Sequence, residues 1–383
     1  MYIKSLEISN FRNIEKMNLE FNKRVNIFIG KNAQGKTSIL ESLYVLAFTK
    51  SCKGLNEEEL INKKRDFFRV RGLLKQGNNK KKLEVAFRKN EKVIKINDAR
   101  VLRVSDYISN FNVIMFSPDD LDIVKKSPSI RRNFLNVELC QLYPKYLNSL
   151  NEYNKILKMR NDYIRKNYNN INYKYLDVIT DSLIDRAIVI ADFRNKFVED
   201  VNKFIEDVFY KITKNKGLKI IYNSSLNSMN KEELISFYQN NYSSDIEKGS
   251  TLYGPHRDDI EFFLNQDNLK LYGSQGQQRI AILAFKFAEI NIFKDIKGYY
   301  PVVLLDDIFS EIDLNKRKNL LKFVKSNIQF IITTTDINNI SEKILNNSTI
   351  FEIELGRIKK RSDKNWKKMK KNMILQQFKY LRD

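Results

Sequence analysis

An α/β fold interrupted by an all-α, antiparallel helical insertion is what this chain of 383 residues predicts, on three observations. Residues 302–305 and 330–334 are continuous apolar runs of strand length, as in a parallel sheet covered on both faces. The alternation Val25, Ile27, Ile29 leads through a glycine-containing loop into the helix-spaced Ile39, Leu40, Leu43, Leu46 and Ala47. From Pro128 on the period becomes three to four residues and stays so past residue 200.

In chain order, 2–11 and 25–29 read as strands separated by a turn around Asn13. Short strands at 67–74, 83–87 and 93–96, with turns at 76–79 and 97–98, suggest an antiparallel sheet beside the glycine loop. The apolar run 113–116 stops at Ser117, Pro118, Asp119 and Asp120, where a helix begins. Helical spacing then carries Phe134, Leu135, Leu139 and Leu142, and after Pro144 continues through Leu147, Leu150, Tyr153, Leu157 and Ile164. A polar break at 167–172 precedes a longer segment running from Leu176 to Val208, which at ~1.5 Å per residue extends several tens of Å. Two long helices joined by a short polar loop make an antiparallel arm. Strand character returns at 218–222 and 260–264, assigned with the helix 277–293 and the two apolar runs to the same half as the glycine loop. The expected organisation is therefore 1–128, an inserted arm at 129–213, the returning half at 214–356, and a basic tail at 357–383.

Composition narrows the class. Hydrophobic residues make up 42% of the chain, enough for a sizeable core, and no apolar run reaches the ~18 residues of a membrane span. The N-terminus lacks a secretory layout, and Cys52 and Cys140 form no C-x-x-C pair, so a reducing cytoplasm is expected. The net charge of +22 points to a polyanion, although abundant Lys, Asn, Ile and Tyr also reflect codon bias. In the last 28 residues eleven Lys or Arg face only Asp363 and Asp383, with scattered apolar positions, a pattern favouring nucleic acid over membrane. A solvated charged helix is the other reading of such a run.

Three motifs carry chemistry. Gly30-Lys31-Asn32-Ala33-Gln34-Gly35-Lys36-Thr37, followed by Ser38, is a G-x-x-x-x-G-K-T loop between strand and helix. Its glycines let backbone N–H groups curl around phosphates, Lys36 neutralises the β- and γ-phosphates of ATP, and the Thr37 hydroxyl reaches Mg²⁺. The run 301–305 ends in Asp306 and Asp307, where such a protein needs one acid for Mg²⁺ and a second to orient or deprotonate the attacking water; capping of the next helix is the alternative. Gly273-Ser274-Gln275-Gly276-Gln277-Gln278 opens a helix and forms a second anion site through Ser274, Gly276, Gln277 and the first amides. One triphosphate needs one cradle. The economical explanation is that this motif of one subunit closes over the ATP of another in a two-fold homodimer; otherwise Ser274 caps its own helix.

The loop, the helical insertion, the Ser274 motif and Asp306-Asp307 followed by Ser310 to Asp313 resemble ABC-type heads of the SMC class. More narrowly, Leu6 to Asn13, Gly30 to Ser38, Phe116 to Leu121, Gly254-Pro255-His256-Arg257-Asp258-Asp259, Ser274 to Arg279 and Leu304 to Asp307 resemble, in order and spacing, the RecF family of bacterial recombination proteins. That resemblance implies an ABC/SMC-type P-loop ATPase head that dimerises with ATP, hydrolyses it slowly, and binds single-stranded and gapped double-stranded DNA. It implies partnership with RecR, with RecO and RecA in the same pathway of replication, repair and the SOS response. It also puts Arg12 near the nucleotide and gives Asp313 a role across the dimer seam. Asp307 stands where transporter-type heads carry Glu, and Thr335 where their switch histidine lies; a shorter acid suits slow hydrolysis. The alternative is an ATPase nuclease of the overcoming-lysogenisation type, which would add an acidic metal-dependent domain where this chain ends in Lys and Arg. His256 reads as a turn residue, with Arg257 and Asp258 expected to pair and fix the loop.

Overall fold

The structure, a computed structural model, describes residues 1–226, 229–323 and 327–362. Two compact units divide the described residues: Met1–Asp120, Lys211–Thr213 and those from Glu289 to Ser362 form the first, Leu121–Tyr210 and Lys214–Ala288 the second. The second unit thus takes in residues 214–288, which were expected in the returning half.

The chain begins with strands β1 (Tyr2–Phe11), β2 (Ile14–Glu20) and β3 (Val25–Ile29) and helix α1 (Lys36–Phe48). Strands β4 (Phe67–Gln76), β5 (Asn79–Arg88), β6 (Glu91–Ile96) and β7 (Ala99–Arg100) follow, then α2 (Val104–Tyr107) and β8 (Val113–Phe116). The inserted stretch holds α3 (Leu121–Lys125), α4 (Pro128–Leu142), α5 (Pro144–Lys166), α6 (Tyr173–Thr213), β9 (Leu218–Asn223), α7 (Lys231–Asn240), α8 (Tyr242–Lys248), β10 (Asp259–Leu264), β11 (Asp267–Asn268), α9 (Leu269–Tyr272) and α10 (Gln275–Lys297). Last come β12 (Val302–Asp306), α11 (Leu314–Leu321), β13 (Phe330–Thr334), α12 (Glu342–Leu345), β14 (Ser348–Glu354) and β15 (Arg357–Ser362). Among the described residues no helix is long and apolar enough to cross a membrane.

The first unit holds two six-stranded sheets. In one, β8, β12, β13, β3 and β14 run parallel and β15 closes the edge antiparallel to β14. Every residue of β3, β12 and β13 is buried, the signature of strands covered on both faces. The other sheet is antiparallel, in the order β2-β1-β4-β5-β6-β7, and α1 packs against its β1, β4 and β5. Strand β2 occupies residues that the sequence pattern left between two strands; Ile14, Met17 and Leu19 are its buried side chains.

Two expectations are corrected here. The strands at 218–222 and 260–264, expected in the half that holds the glycine loop, lie in the second unit, where β9, β10 and β11 form their own antiparallel sheet. In β9 burial alternates strictly, so a single face is covered. The basic tail does not begin at 357: Arg357–Ser362 is strand β15, reached through a two-residue turn with positive φ at Leu355 (49°) and Gly356 (72°), the twist that tight hairpins favour. The remainder of the expected tail, 363–383, lies outside the described residues.

The second unit is built around rings and buried arginines. Phe285 of α10 meets Phe134, Phe197 and Phe262 at centroid distances of 5.2, 6.2 and 5.8 Å. Arg160 of α5, fully buried, pairs with Asp245 of α8 at 2.7 Å and bonds Thr180 and Thr251. The segment 254–259 is a hub, but by other contacts than expected. Asp258 does not pair with Arg257; it accepts from the Tyr222 hydroxyl and faces Arg194 at 3.5 Å, while Arg257 is exposed and without an ion pair among the described residues. Adjacent side chains on the chain diverge, so the buried acid takes partners brought by α6 and β9.

Candidate functional site

The loop after β3 wraps as its composition requires. Gly35, at φ 105°, occupies backbone space that a side chain rarely tolerates, and a Cβ on Gly30 would meet the Ile353 carbonyl oxygen at 2.4 Å. Lys36 opens α1 and is 7% exposed; its Nζ donates to the carbonyls of Gly30 (2.6 Å) and Lys31 (2.8 Å). Burial lowers its pKa, and the charges of Asp307 and Asp306 act in the opposite direction. Asn13 holds the outer side, accepting from the Ser38 hydroxyl at 2.8 Å.

The end of β12 brings the two acids to this loop. Asp306 Oδ1 accepts from the hydroxyls of Thr37 (3.1 Å) and Thr333 (2.7 Å), the latter placed by the parallel pairing of Asp306 with Thr333. Asp307 turns into the left-handed region (φ 50°), with its N–H on Thr333 Oγ1 at 3.0 Å. Burial raises its pKa, Lys36 opposes that, and Asp306 adds to it. Asp307 Oδ1 is buried and accepts no hydrogen bond, an acceptor left over for a molecule this chain does not supply.

Around them lies a cavity of about 1260 Å³ in the first unit, lined by seven Lys or Arg and five Asp or Glu, so it remains cationic with both acids counted. Arg12 reaches its wall (φ 54°), with Nε 3.4 Å from buried Glu41 and Nη1 donating to Glu59 O at 3.0 Å. The β14–β15 turn closes the other side: Leu355 N–H donates to Gln34 Oε1 (2.7 Å) and Gly356 N–H to Gln34 O (2.9 Å). Lys31, Asn32 and Ala33 are exposed on the loop's crest.

The structure brings together Arg12, residues 30–38, Asp306 and Asp307. Ser274, Gly276 and Gln277 lie on the second unit, exposed at the start of α10. There Ser274 Oγ accepts from Gln277 N–H at 3.3 Å while Gln277 Oε1 accepts from Ser274 N–H at 2.8 Å, a reciprocal capping box. Asp313 caps α11 through Lys316 N–H, and Thr335 is exposed. His256 is locked: its Nδ1 lies 2.6 Å from the Tyr153 hydroxyl, its Nε2 3.0 Å from Thr251 O, and burial depresses its pKa to about 4.

Sequence reasoning missed Thr333, the contact of Asn13 with Ser38 and the β14–β15 hairpin. A hint lay in the apolar run 330–334 ending in threonines, since a hydroxyl at a strand's carboxyl end beside an acid is a ready hydrogen-bond donor.

For Mg²⁺ the donor set fits. Among the described residues no cluster of three or more His, Cys, Asp or Glu is arranged for a metal. Mg²⁺ beside a triphosphate asks for less, one or two protein oxygens completed by phosphate and water.

Residues 2–359 match the family model described as RecF/RecN/SMC N terminal domain. The chain is 38% identical over 370 residues to the DNA replication and repair protein RecF of Halalkalibacterium halodurans, covering 94% of this chain and 100% of that protein. It is 41% identical over 364 residues to RecF of Clostridium perfringens (strain SM101), covering 94% and 99%. Among solved structures, the recombination mediator protein RecF with ATP, in the RecFOR pathway, superposes with TM-score 0.85 at 32% identity over 93% of this chain and 96% of that one. An Smc head bound to the C-winged helix domain of ScpA matches at TM-score 0.53 and 16% identity, covering 95% and 98%, and has the same ABC/SMC-type head fold.

Proposed function

Because the chain belongs to the RecF family of DNA replication and repair proteins, we propose that it is a cytoplasmic ATP-dependent DNA-binding protein of recombinational repair. In this reading ATP drives two copies together on single-stranded and gapped double-stranded DNA, and with RecR and RecO the dimer helps RecA load. The observation that carries it is the cationic cavity, in which Lys36, Thr37, Asp306 and Asp307 converge on one wall and Arg12 and the β14–β15 hairpin flank them.

The residues divide the work as follows. The loop N–H groups of 30–38 and the start of α1 bind the triphosphate. Lys36 exchanges two backbone carbonyls for phosphate oxygens, so its charge is already positioned before the ligand arrives. Thr37 and Asp306 would hold Mg²⁺, which supplies charge neutralisation on the β- and γ-phosphates. Asp307, with one oxygen unengaged, orients the attacking water and takes its proton. Ser274, Gly276 and Gln277 serve the ATP of the other copy.

The test is light scattering and duplex binding with and without ATP, Mg²⁺ and a gapped duplex. ATP should double the mass and raise duplex affinity, and Lys36→Met should abolish both responses. A protein that stays monomeric at saturating ATP overturns the reading.

A further inference from the structure

The turn at 167–172, between α5 and α6 of the second unit, carries an unusual surface. Tyr168 and Tyr173 are each 57% exposed and Tyr175 47%. Two of these rings are braced by a neighbouring ring: Tyr175 lies edge-on to Tyr163 at 4.8 Å, and Tyr173 stacks on Tyr242 at 6.3 Å. Asn172 N–H donates to the Tyr163 hydroxyl at 2.8 Å, which ties the turn to the end of α5. Along α5 a shallow furrow of about 400 Å³ is lined by Lys155, Lys158, Met159, Asp162, Tyr163 and Lys166, with Asn167 at its end.

The charges there are left over. Asp162 is paired with Arg165 and Asp177 accepts from Tyr242 and Gln239. Lys155, Lys158, Lys166 and Lys174 are exposed and have no carboxylate partner among the described residues. Protein interfaces are depleted in Lys at their centres, whereas rigid aromatic faces beside a basic track are what unpaired bases and their backbone select.

We propose that this helical-hairpin tip is a stacking platform for single-stranded DNA. Tyr168, Tyr173 and Tyr175 stack bases, and the α5 lysines track the phosphates. The inference rests on the DNA-binding reading above and assigns its single-stranded part to a surface.

The experiment uses the full chain with ATP, measuring fluorescence anisotropy of a single-stranded oligothymidine and of a duplex without ends in single strand. Tyr168→Ser and Tyr175→Ser should each weaken oligothymidine binding about fivefold or more, with duplex affinity unchanged. Lys155→Gln with Lys158→Gln should flatten the log K against log salt slope for the single strand by about 1.4. Photo-crosslinking of iodouracil-containing oligonucleotide should label peptides within 155–178. Tyrosine variants that bind oligothymidine as tightly as the parent, or that lose duplex binding equally, overturn the platform. So does crosslinking confined elsewhere, as expected if the tip docks a protein instead. If the parent fails to bind gapped duplex with ATP, it is the DNA-binding reading itself that falls.

Discussion

Asp307 is the side chain whose surroundings most constrain the chemistry. Its backbone adopts φ 50°, which turns its carboxylate out of the strand line, and burial beside Asp306 raises its pKa while Lys36 works against that. Asp307→Asn should leave ATP binding and dimer mass intact and slow hydrolysis about 100-fold or more, read in single-turnover assays. Equal rates would remove the acid from the chemistry. His256 yields a pH prediction. Its pKa falls from 6.5 to about 4 on folding, so between those values the unfolded chain binds the extra proton and stability declines as pH falls. The full loss, about 3 kcal/mol, is present below pH 4 and absent above 6.5. Urea midpoints of His256→Gln should lack this part of the acid slope, and an unchanged slope would contradict it. Lys36 and Thr37 are legible from sequence because their roles follow from six residues of spacing. Thr333 is not, since it reaches Asp306 only through strand pairing across 27 residues.

At the scale of elements, helix α5 of the helical hairpin is fastened to α8 by an ion pair that water does not reach. Arg160 and Asp245 are 0% and 1% exposed, and the guanidinium also lies over the rings of Tyr238 and Tyr242 at 5.7 and 5.5 Å. Asp245→Ala leaves a buried cation uncompensated and should cost about 3–5 kcal/mol in urea unfolding. A loss below 1 kcal/mol would mean that the pair is solvated in solution. Helical periods announced α4, α5 and α6 directly, because a 3.6-residue repeat needs no knowledge of the partner. The strands β9 and β10 were equally visible, yet they were assigned to the half that holds the glycine loop. An apolar or alternating stretch reports how many faces are buried and says nothing about which strand lies beside it. The β14–β15 hairpin went unread because Leu355 at positive φ is a residue that turn chemistry disfavours.

For the whole molecule, the proposed switch depends on two copies. Ser274 already satisfies its own helix through the capping box, and its exposure leaves the hydroxyl free to meet a phosphate as well. Ser274→Arg should therefore keep ATP binding by the monomer, lower helix stability by about 1 kcal/mol, and prevent the ATP-induced doubling of mass. Doubling that survives in this variant would place the dimer seam elsewhere. The sequence by itself determined the glycine loop between strand and helix, the two adjacent acids, the helical insertion and the family, because each is written in short-range spacing or in motif order along the chain. Only the tertiary structure decided that residues 218–264 serve the second unit, that Thr333 joins Asp306, that Asp258 belongs to Tyr222 and Arg194, and that the Leu355–Gly356 turn seals the loop at Gln34. Those pairings link residues tens to hundreds of positions apart, where local periodicity carries no information and the competition among partners is settled by packing.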